Sequence, residues 1–148
     1  MGHYDAALMS GVMKLEKREH ILDTGEKVWY EYDRDSDMLE IIFRPAKASC
    51  AIELTESIIL RFDWAANEPL SLGFISISSL LQSNQYGEVH FQLLSDEWPE
   101  DAQGKIWKML RQSPLTEFLT LSSFMPAHTH QTIPVAAIKP SDLLTRAA

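Results

Sequence analysis

Four apolar runs of β-strand type lie between Val28 and Leu81, and they restrict the fold of this chain more than any other feature of its sequence. The first two runs, VWYEYD and MLEIIFR, are separated only by RDSD, which consists of turn-forming residues. The runs IELTESIILRFDW and PLSLGFISISSLL follow. This pattern predicts an antiparallel sheet that contains a tight hairpin.

Alternating apolar residues predict which face of this sheet is buried. In two of the runs, apolar side chains occupy every second position, and charged side chains, among them Glu40 and Arg61, lie on the opposite face. The predicted core positions are Leu39, Ile41, Phe43, Ile58, Leu60, Phe62 and Trp64. In the fourth run the alternation changes phase at Gly73, which predicts a bulge or a strand that is covered on both faces.

The same stretch resembles the small bacterial domain-of-unknown-function family 2283 over residues 28–81. The resemblance begins with an extended Tyr-Asp pair that leads through an acidic turn into an alternating strand, and it continues through three apolar segments. The residues that carry it are Tyr32, Asp33, Asp37, Met38, Leu39, Glu40 and Ile41, then 52–54 (IEL), 58–63 (IILRFD) and 72–75 (LGFI). The resemblance implies a compact sheet without an assigned activity, so it carries over no catalytic or binding residue.

The second half of the chain is predicted to add helices to the sheet. A polar turn at residues 83–87 precedes a short strand at 88–94. Apolar residues then recur at helical spacing up to Leu110, and Ser113-Pro114 ends this helix and begins a second one. One edge strand is expected at residues 132–138. We therefore predict an α+β fold, an antiparallel sheet with a helical pair packed on one face.

The domain organisation follows from these segments. Residues 1–25 show no clear period and are interpreted as a mobile N-terminal arm or a short helix, with Met13 as an alternative start. Residues 26–148 are predicted to form a single α+β domain. It combines the family-like β module, at about 28–81, with a helical extension at about 95–122.

Charge and cysteine content narrow the classes of function. The formal net charge is −8, and seven acidic residues against two basic ones lie between Asp23 and Glu40. An acidic hairpin repels phosphate backbones, so no nucleic acid is expected to bind there. The single cysteine, Cys50, provides no disulfide framework and favours a cytoplasmic protein. Neither a signal peptide nor an apolar run of membrane-spanning length is present, so no membrane partner is expected.

Candidate metal and catalytic residues are few. Asp33, Asp35 and Asp37 resemble the start of a calcium loop, but Met38 and Arg44 occupy the positions where the loop needs Gly and Glu. A hairpin turn explains the three aspartates better. His128 and His130 form the one close histidine pair, and it has no third ligand at metal-site spacing. No metal, cofactor or catalytic residue is therefore predicted, although His90, His128 and His130 stay candidates for a pocket.

Two hypotheses for the function remain open. The first is a non-enzymatic interaction or regulatory module that binds a protein partner, or forms a homo-oligomer such as a dimer. Its candidate interaction residues are Asp33, Asp35, Asp37, Trp98 and Trp107, of which one tryptophan is expected to be exposed. The second is a small enzyme or ligand-binding protein with a pocket between the sheet and the helices.

Overall fold

The computed structural model describes residues 15–84, 90–127 and 130–139 of the chain. The strands in these residues are β1 (Leu15–Ile21), β2 (Lys27–Asp33), β3 (Met38–Ile42), β4 (Cys50–Glu53), β5 (Ile58–Asp63), β6 (Glu68–Ile75), β7 (His90–Gln92), β8 (Leu119–Phe124) and β9 (Ile133–Ile138). The helices are α1 (Ile77–Asn84) and α2 (Gln103–Leu110), and single 3-10 turns lie at Ser95–Glu97, Glu100–Ala102 and Leu115–Glu117.

The described strands form two antiparallel sheets. The large sheet has six strands in the order β1-β2-β3-β6-β5-β4, and the small sheet has three in the order β7-β9-β8. The predicted hairpin is present as β2 and β3, with Tyr32 opposite Leu39 and Glu31 opposite Glu40. Both strands of this hairpin are interior strands of the large sheet. The α+β fold is confirmed, and its helical part is small.

Residues 15–25 correct the expectation of a mobile arm. Leu15–Ile21 forms β1, which pairs with β2 along its whole length, from Leu15 opposite Asp33 to Ile21 opposite Lys27. The centre of this strand is charged, and Lys17 and Glu19 pair with charged side chains of β2, so the strand shows no apolar period in the sequence. Residues 1–14 lie outside the described residues.

The fourth apolar run differs from the expected long strand. β6 ends at Ile75, and Ile77 begins helix α1 after Ser76, which adopts a positive φ of 55°. The irregularity in pairing lies between Arg61 and Phe62 of β5, so the predicted bulge at Gly73 is wrong. The alternative, a strand covered on both faces, is confirmed because both Ser71 and Leu72 are buried.

The second half of the chain corrects the predicted helical pair. The first helix is present as α2, but the second is only the 3-10 turn Leu115–Glu117, and the chain then enters β8. Leu119 and Leu121 alternate with polar residues, and this period of two outweighs the short helical pattern before it. β9 lies at the centre of the small sheet, so the expected edge strand is an interior strand.

Side chains from both sheets and from α2 form one hydrophobic cluster. The large sheet contributes five of the predicted core residues, which are almost wholly buried: Leu39, Ile41, Ile58, Leu60 and Phe62. Phe43 and Trp64 are only partly buried and pack against this cluster. Helix α2 adds Ile106, Met109 and Leu110. The faces of the two sheets that point away from this cluster are called the outer faces below.

Candidate functional site

The aspartates of the predicted interaction site lie in or beside the β2–β3 turn and bond to the fold itself. The Asp33 carboxylate accepts a hydrogen bond from the backbone N–H of Asp35 at 3.0 Å, as in an Asx turn. Asp37 adopts a positive φ of 53°, which aspartate tolerates better than most residues. Asp33 and Asp37 thus have structural roles in the turn.

Asp37 also holds the start of helix α1. Its backbone carbonyl accepts a hydrogen bond from Ile77 N–H at 3.1 Å. Its carboxylate accepts hydrogen bonds from the Ser78 hydroxyl at 2.7 Å and from Ser78 N–H at 3.3 Å. A carboxylate at this position satisfies unpaired N–H groups of the helix and complements the positive end of its dipole. The turn therefore fixes α1 against the hairpin.

The Tyr32 phenol completes this cluster. Its hydroxyl donates a hydrogen bond to Asp37 Oδ1 at 2.9 Å. The hydrogen bond with Ser78 lowers the pKa of Tyr32, but burial, the hydrogen bond to Asp37 and the Asp37 charge raise it by more. The pKa of Tyr32 therefore lies above its ordinary value, and the phenol stays protonated as a donor to the carboxylate.

The two tryptophans of the predicted site lie together, but neither is a freely exposed anchor. Trp98 is only 5% exposed, and its indole N–H donates a hydrogen bond to the Glu53 carbonyl of β4 at 2.8 Å. Trp107 is partly buried and meets Trp98 edge to face, with ring centroids 5.4 Å apart. The Arg111 guanidinium lies 5.5 Å from the centre of the Trp107 ring. The expectation of an exposed tryptophan is therefore wrong.

Trp98 instead covers one edge of the large sheet. β4 is an edge strand, and its Glu53 carbonyl is occupied by the Trp98 indole. The next carbonyl, that of Leu54, accepts a hydrogen bond from Leu94 N–H at 2.8 Å. An edge strand whose carbonyls are bonded by a neighbouring segment offers less to an incoming strand.

The opposite edge of the large sheet, β1, is protected by charge. Lys17, Arg18 and Glu19 are exposed along this strand. Lys17 lies 3.6 Å from the Glu31 carboxylate of β2, and Glu19 lies 3.6 Å from Lys27 Nζ. Charged side chains along an edge oppose pairing with another strand, because pairing removes them from water.

β8, an edge of the small sheet, has neither kind of protection among the described residues. Its sequence, LTLSSF, contains no charged residue and no proline, and it pairs with β9 on one side only. Phe124 and the following Met125 are each 56% exposed. The outward-facing side chains of Thr120 and Ser122 are exposed as well. Within the described residues, this edge therefore combines strand backbone that pairs with no further strand and exposed apolar side chains.

An apolar groove of about 490 Å³ lies on the outer face of the small sheet beside β8. Val135 and Ile133 of β9 lie opposite Ser122 and Phe124 in the register of the sheet. The residues that line the groove are His90, Gln92, Ser122, Ser123, Phe124, Ile133 and Val135. A side chain from a strand added to β8 has an apolar surface to contact here.

A second concave site lies on the outer face of the large sheet. Arg61 of β5 reaches across Gly73 of β6 and donates a hydrogen bond to Glu40 Oε2 at 2.8 Å. The same oxygen accepts the Ser71 hydroxyl at 2.8 Å. A Cβ built on Gly73 would lie 3.4 Å from Arg61 Nη1, so the guanidinium passes close over this glycine. The β3–β4 loop bounds this site and encloses about 340 Å³.

The histidines and the cysteine do not assemble into a site within the described residues. His90 and His130 are exposed, and His128 lies outside the described residues. Cys50 is a partly buried free thiol on the edge strand β4. No group of three or more metal-ligating side chains is found in the described part of the chain. A third concavity, of about 370 Å³, lies where His90 and Phe91 of β7 meet the β4–β5 turn.

Sequence reasoning missed the β8 edge and the site around Arg61. The alternation in LTLSSF was a signal for β8, but the apolar residues just before it favoured a helix. Arg61 and Glu40 were correctly placed on the face away from the core. Their contact was not predicted because they lie 21 positions apart in the sequence. The strand order, which places only β6 between β5 and β3, makes that contact.

The comparisons with known proteins add one match. No curated protein and no solved structure gave a match to this chain. No helix in the described residues has the length and apolar character needed to cross a membrane. Residues 29–66 match the model of a family described as a protein of unknown function, DUF2283. The match confirms the resemblance seen in the sequence over this range, which is about a quarter of the 148-residue chain and runs from β2 to the β5–β6 turn.

Proposed function

We propose that this protein is a non-enzymatic interaction module that binds a protein strand at the β8 edge, and that the strand comes from a second copy of the chain. The observation that carries the proposal is the difference between β8 and the edges of the large sheet. Charges protect β1, and Trp98 covers β4. The uncharged β8 edge carries exposed Phe124 and Met125.

A second copy of the chain suits this edge because β8 can pair with an identical strand without bringing charges together. Antiparallel pairing of two identical strands about a two-fold axis places the residue at the axis opposite its own copy, so a charge there would meet a like charge. β8 has no charge to repel its copy. β1 has Arg18 at its centre, so the same pairing of two β1 strands would place two guanidinium groups opposite each other.

The faces of the small sheet restrict the register of this pairing. The two-fold axis must pass through a residue so that outer faces stay on the same side, because side chains alternate between faces. With the axis at Ser122, Phe124 of each copy lies opposite Thr120 of the other, on the outer face beside the groove. The result is one continuous six-stranded sheet built from two small sheets.

Light scattering of the purified protein, with a lysine placed in the edge, tests this proposal. The wild type is expected to be a dimer, and Ser122→Lys to be a monomer because two ammonium groups would meet at the axis. Ser36→Lys, which places the same charge in the exposed β2–β3 turn, is expected to stay dimeric. A monomeric wild type, or a Ser122→Lys variant that dimerises as well as Ser36→Lys, would contradict the proposal.

A partner other than a second copy has a distinct outcome in the same experiment. A strand from another protein would leave the purified chain monomeric and would be captured from a lysate by the wild type but not by Ser122→Lys. That result keeps the β8 edge as a binding surface and rejects the self-pairing.

A further inference from the structure

We propose that the concave site around Arg61 binds a small organic carboxylate. This site lies on the outer face of the large sheet and involves none of the residues of the β8 edge. The residues that line it are Glu40, Ile42, Arg44, Pro45, Ala46, Lys47, Ala48, Arg61, Leu70 and Ser71. The proposal does not rest on the β8 interaction, and its test is independent of the oligomeric state.

The wall of the site is a loop that is fixed at both ends. Phe43 N–H, just after β3, donates a hydrogen bond to the Leu70 carbonyl at 2.8 Å. At the other end of the loop, Ser49 N–H donates to the Phe62 carbonyl at 3.2 Å, and its hydroxyl accepts Trp64 N–H at 2.8 Å. The loop between these anchors stands over the sheet, so the cavity is formed before a ligand binds.

The lining of the site is mainly basic, although the chain as a whole is acidic. The protein has 21 acidic against 13 basic residues, yet this site is lined by Arg44, Lys47 and Arg61 against the single carboxylate Glu40. Concave surfaces that carry one sign of charge attract ligands of the other sign. An anion is therefore the ligand class that the site attracts within an otherwise acidic protein.

The existing ion pairs leave one positive charge uncompensated. Glu40 is bonded to Arg61, and Arg44 is paired with the Glu68 carboxylate. Lys47 is exposed and forms no ion pair within the described residues. One unpaired charge matches a monoanion such as a carboxylate, whereas a phosphate dianion would bring a second charge close to Glu40.

The donors present suit a carboxylate. Arg61 uses Nη1 for Glu40, and within the described residues its Nε and Nη2 groups remain available as donors. Guanidinium and ammonium groups form short, charge-assisted hydrogen bonds with carboxylate oxygens. Ile42, Pro45 and Leu70 provide apolar walls, so the carboxylate is expected to carry a small apolar body.

Nuclear magnetic resonance titration with benzoate tests this inference. Benzoate is expected to produce saturable shifts of the Lys47, Ala48 and Ser71 amide signals, whereas neutral benzyl alcohol is expected to produce none. Lys47→Ala is expected to weaken benzoate binding about tenfold, because a charged hydrogen bond is lost. Lys108→Ala, at an exposed lysine of α2 outside the site, is expected to leave binding unchanged.

Three results would overturn the inference. The first is the absence of saturable benzoate shifts at the loop. The second is equal binding of benzyl alcohol, which would identify a purely apolar cavity. The third is tighter binding of inorganic phosphate than of benzoate, which would assign the site to a different class of anion. Lys47 is exposed, so its replacement is expected to leave the amide spectrum dispersed as in the wild type.

Discussion

The strands β1 and β8 are both sheet edges, but charged side chains protect the exposed backbone of β1 and not that of β8. β1 reads LEKREHI and is bordered by ion pairs to β2, whereas β8 reads LTLSSF and carries no charge. Within the described residues both pair with a neighbour on one side only. Because protection of an edge lowers the risk of association, the lack of it at β8 within the described residues supports the proposed pairing there.

The largest expected effect compares the core of the large sheet with the open end of β8. Phe62 is wholly buried, so Phe62→Ala should lower the free energy of unfolding by about 3–5 kcal/mol. Phe124 is 56% exposed, so Phe124→Ala should change the stability of the monomer by less than about 0.5 kcal/mol. Urea unfolding at the lowest workable protein concentration measures both. Equal losses would show that Phe124 is covered in the monomer and that the edge is not open.

Covering of the β4 edge by Trp98 has the next largest expected effect. Trp98→Phe removes the donor that the Glu53 carbonyl uses and replaces a buried ring by a smaller one, so it should cost about 1–3 kcal/mol. Trp107→Phe should cost less, since Trp107 is only partly buried. Chemical unfolding of the two variants, together with light scattering, provides the measurement. If the two substitutions cost the same, the indole hydrogen bond does not hold this edge.

The cap on helix α1 should contribute a smaller amount. Asp37→Ala removes an acceptor for the Ser78 groups and for Tyr32, and it should lower stability by about 0.5–2 kcal/mol. Calcium at millimolar concentration should leave the melting temperature of the wild type unchanged, because the aspartate turn is structural. A calcium-dependent rise in melting temperature would instead assign the turn to a cation site.

The smallest expected effect is a dependence of stability on alkaline pH. The folded-state pKa of Tyr32 is raised above the ordinary value of 10.0. Stability from this group is therefore complete below about pH 10 and is lost as pH rises through the folded-state pKa. The unfolding free energy of Tyr32→Phe should fall less steeply than that of the wild type above this pH. Parallel pH profiles would show that Tyr32 ionises without affecting the fold.

The buried strands of the large sheet were predictable because each residue type matched its face. Leu60 and Phe62 alternate with Arg61 and Asp63, and a period of two fixes the side of the sheet on which each lies. The hairpin turn was equally clear, since Asp33 and Asp37 suit its backbone. These features depend on residues that are close together in the chain, so they can be recognised in a single sequence.

The edges and the candidate sites were not predictable because they depend on strand order. The pairing of β1 with β2 and of β6 with β3 makes both strands of the β2–β3 hairpin interior, and the sequence of the hairpin does not indicate this. The charged site on the outer face combines Glu40, Arg61 and Ser71 from three strands. No local sequence pattern indicates that residues of these three strands come together.

Self-cross-linking through a cysteine at the centre of β8 tests the use of this edge most directly. In a Cys50→Ala background, Ser122→Cys places one thiol per chain at the proposed two-fold axis, where two strands bring Cβ atoms within disulfide distance. Arg18→Cys, at the centre of β1, is the matched control. Under mild oxidation, Ser122→Cys should form a covalent dimer and Arg18→Cys should stay monomeric. Equal cross-linking of the two, or none through residue 122, would contradict the proposed pairing of β8.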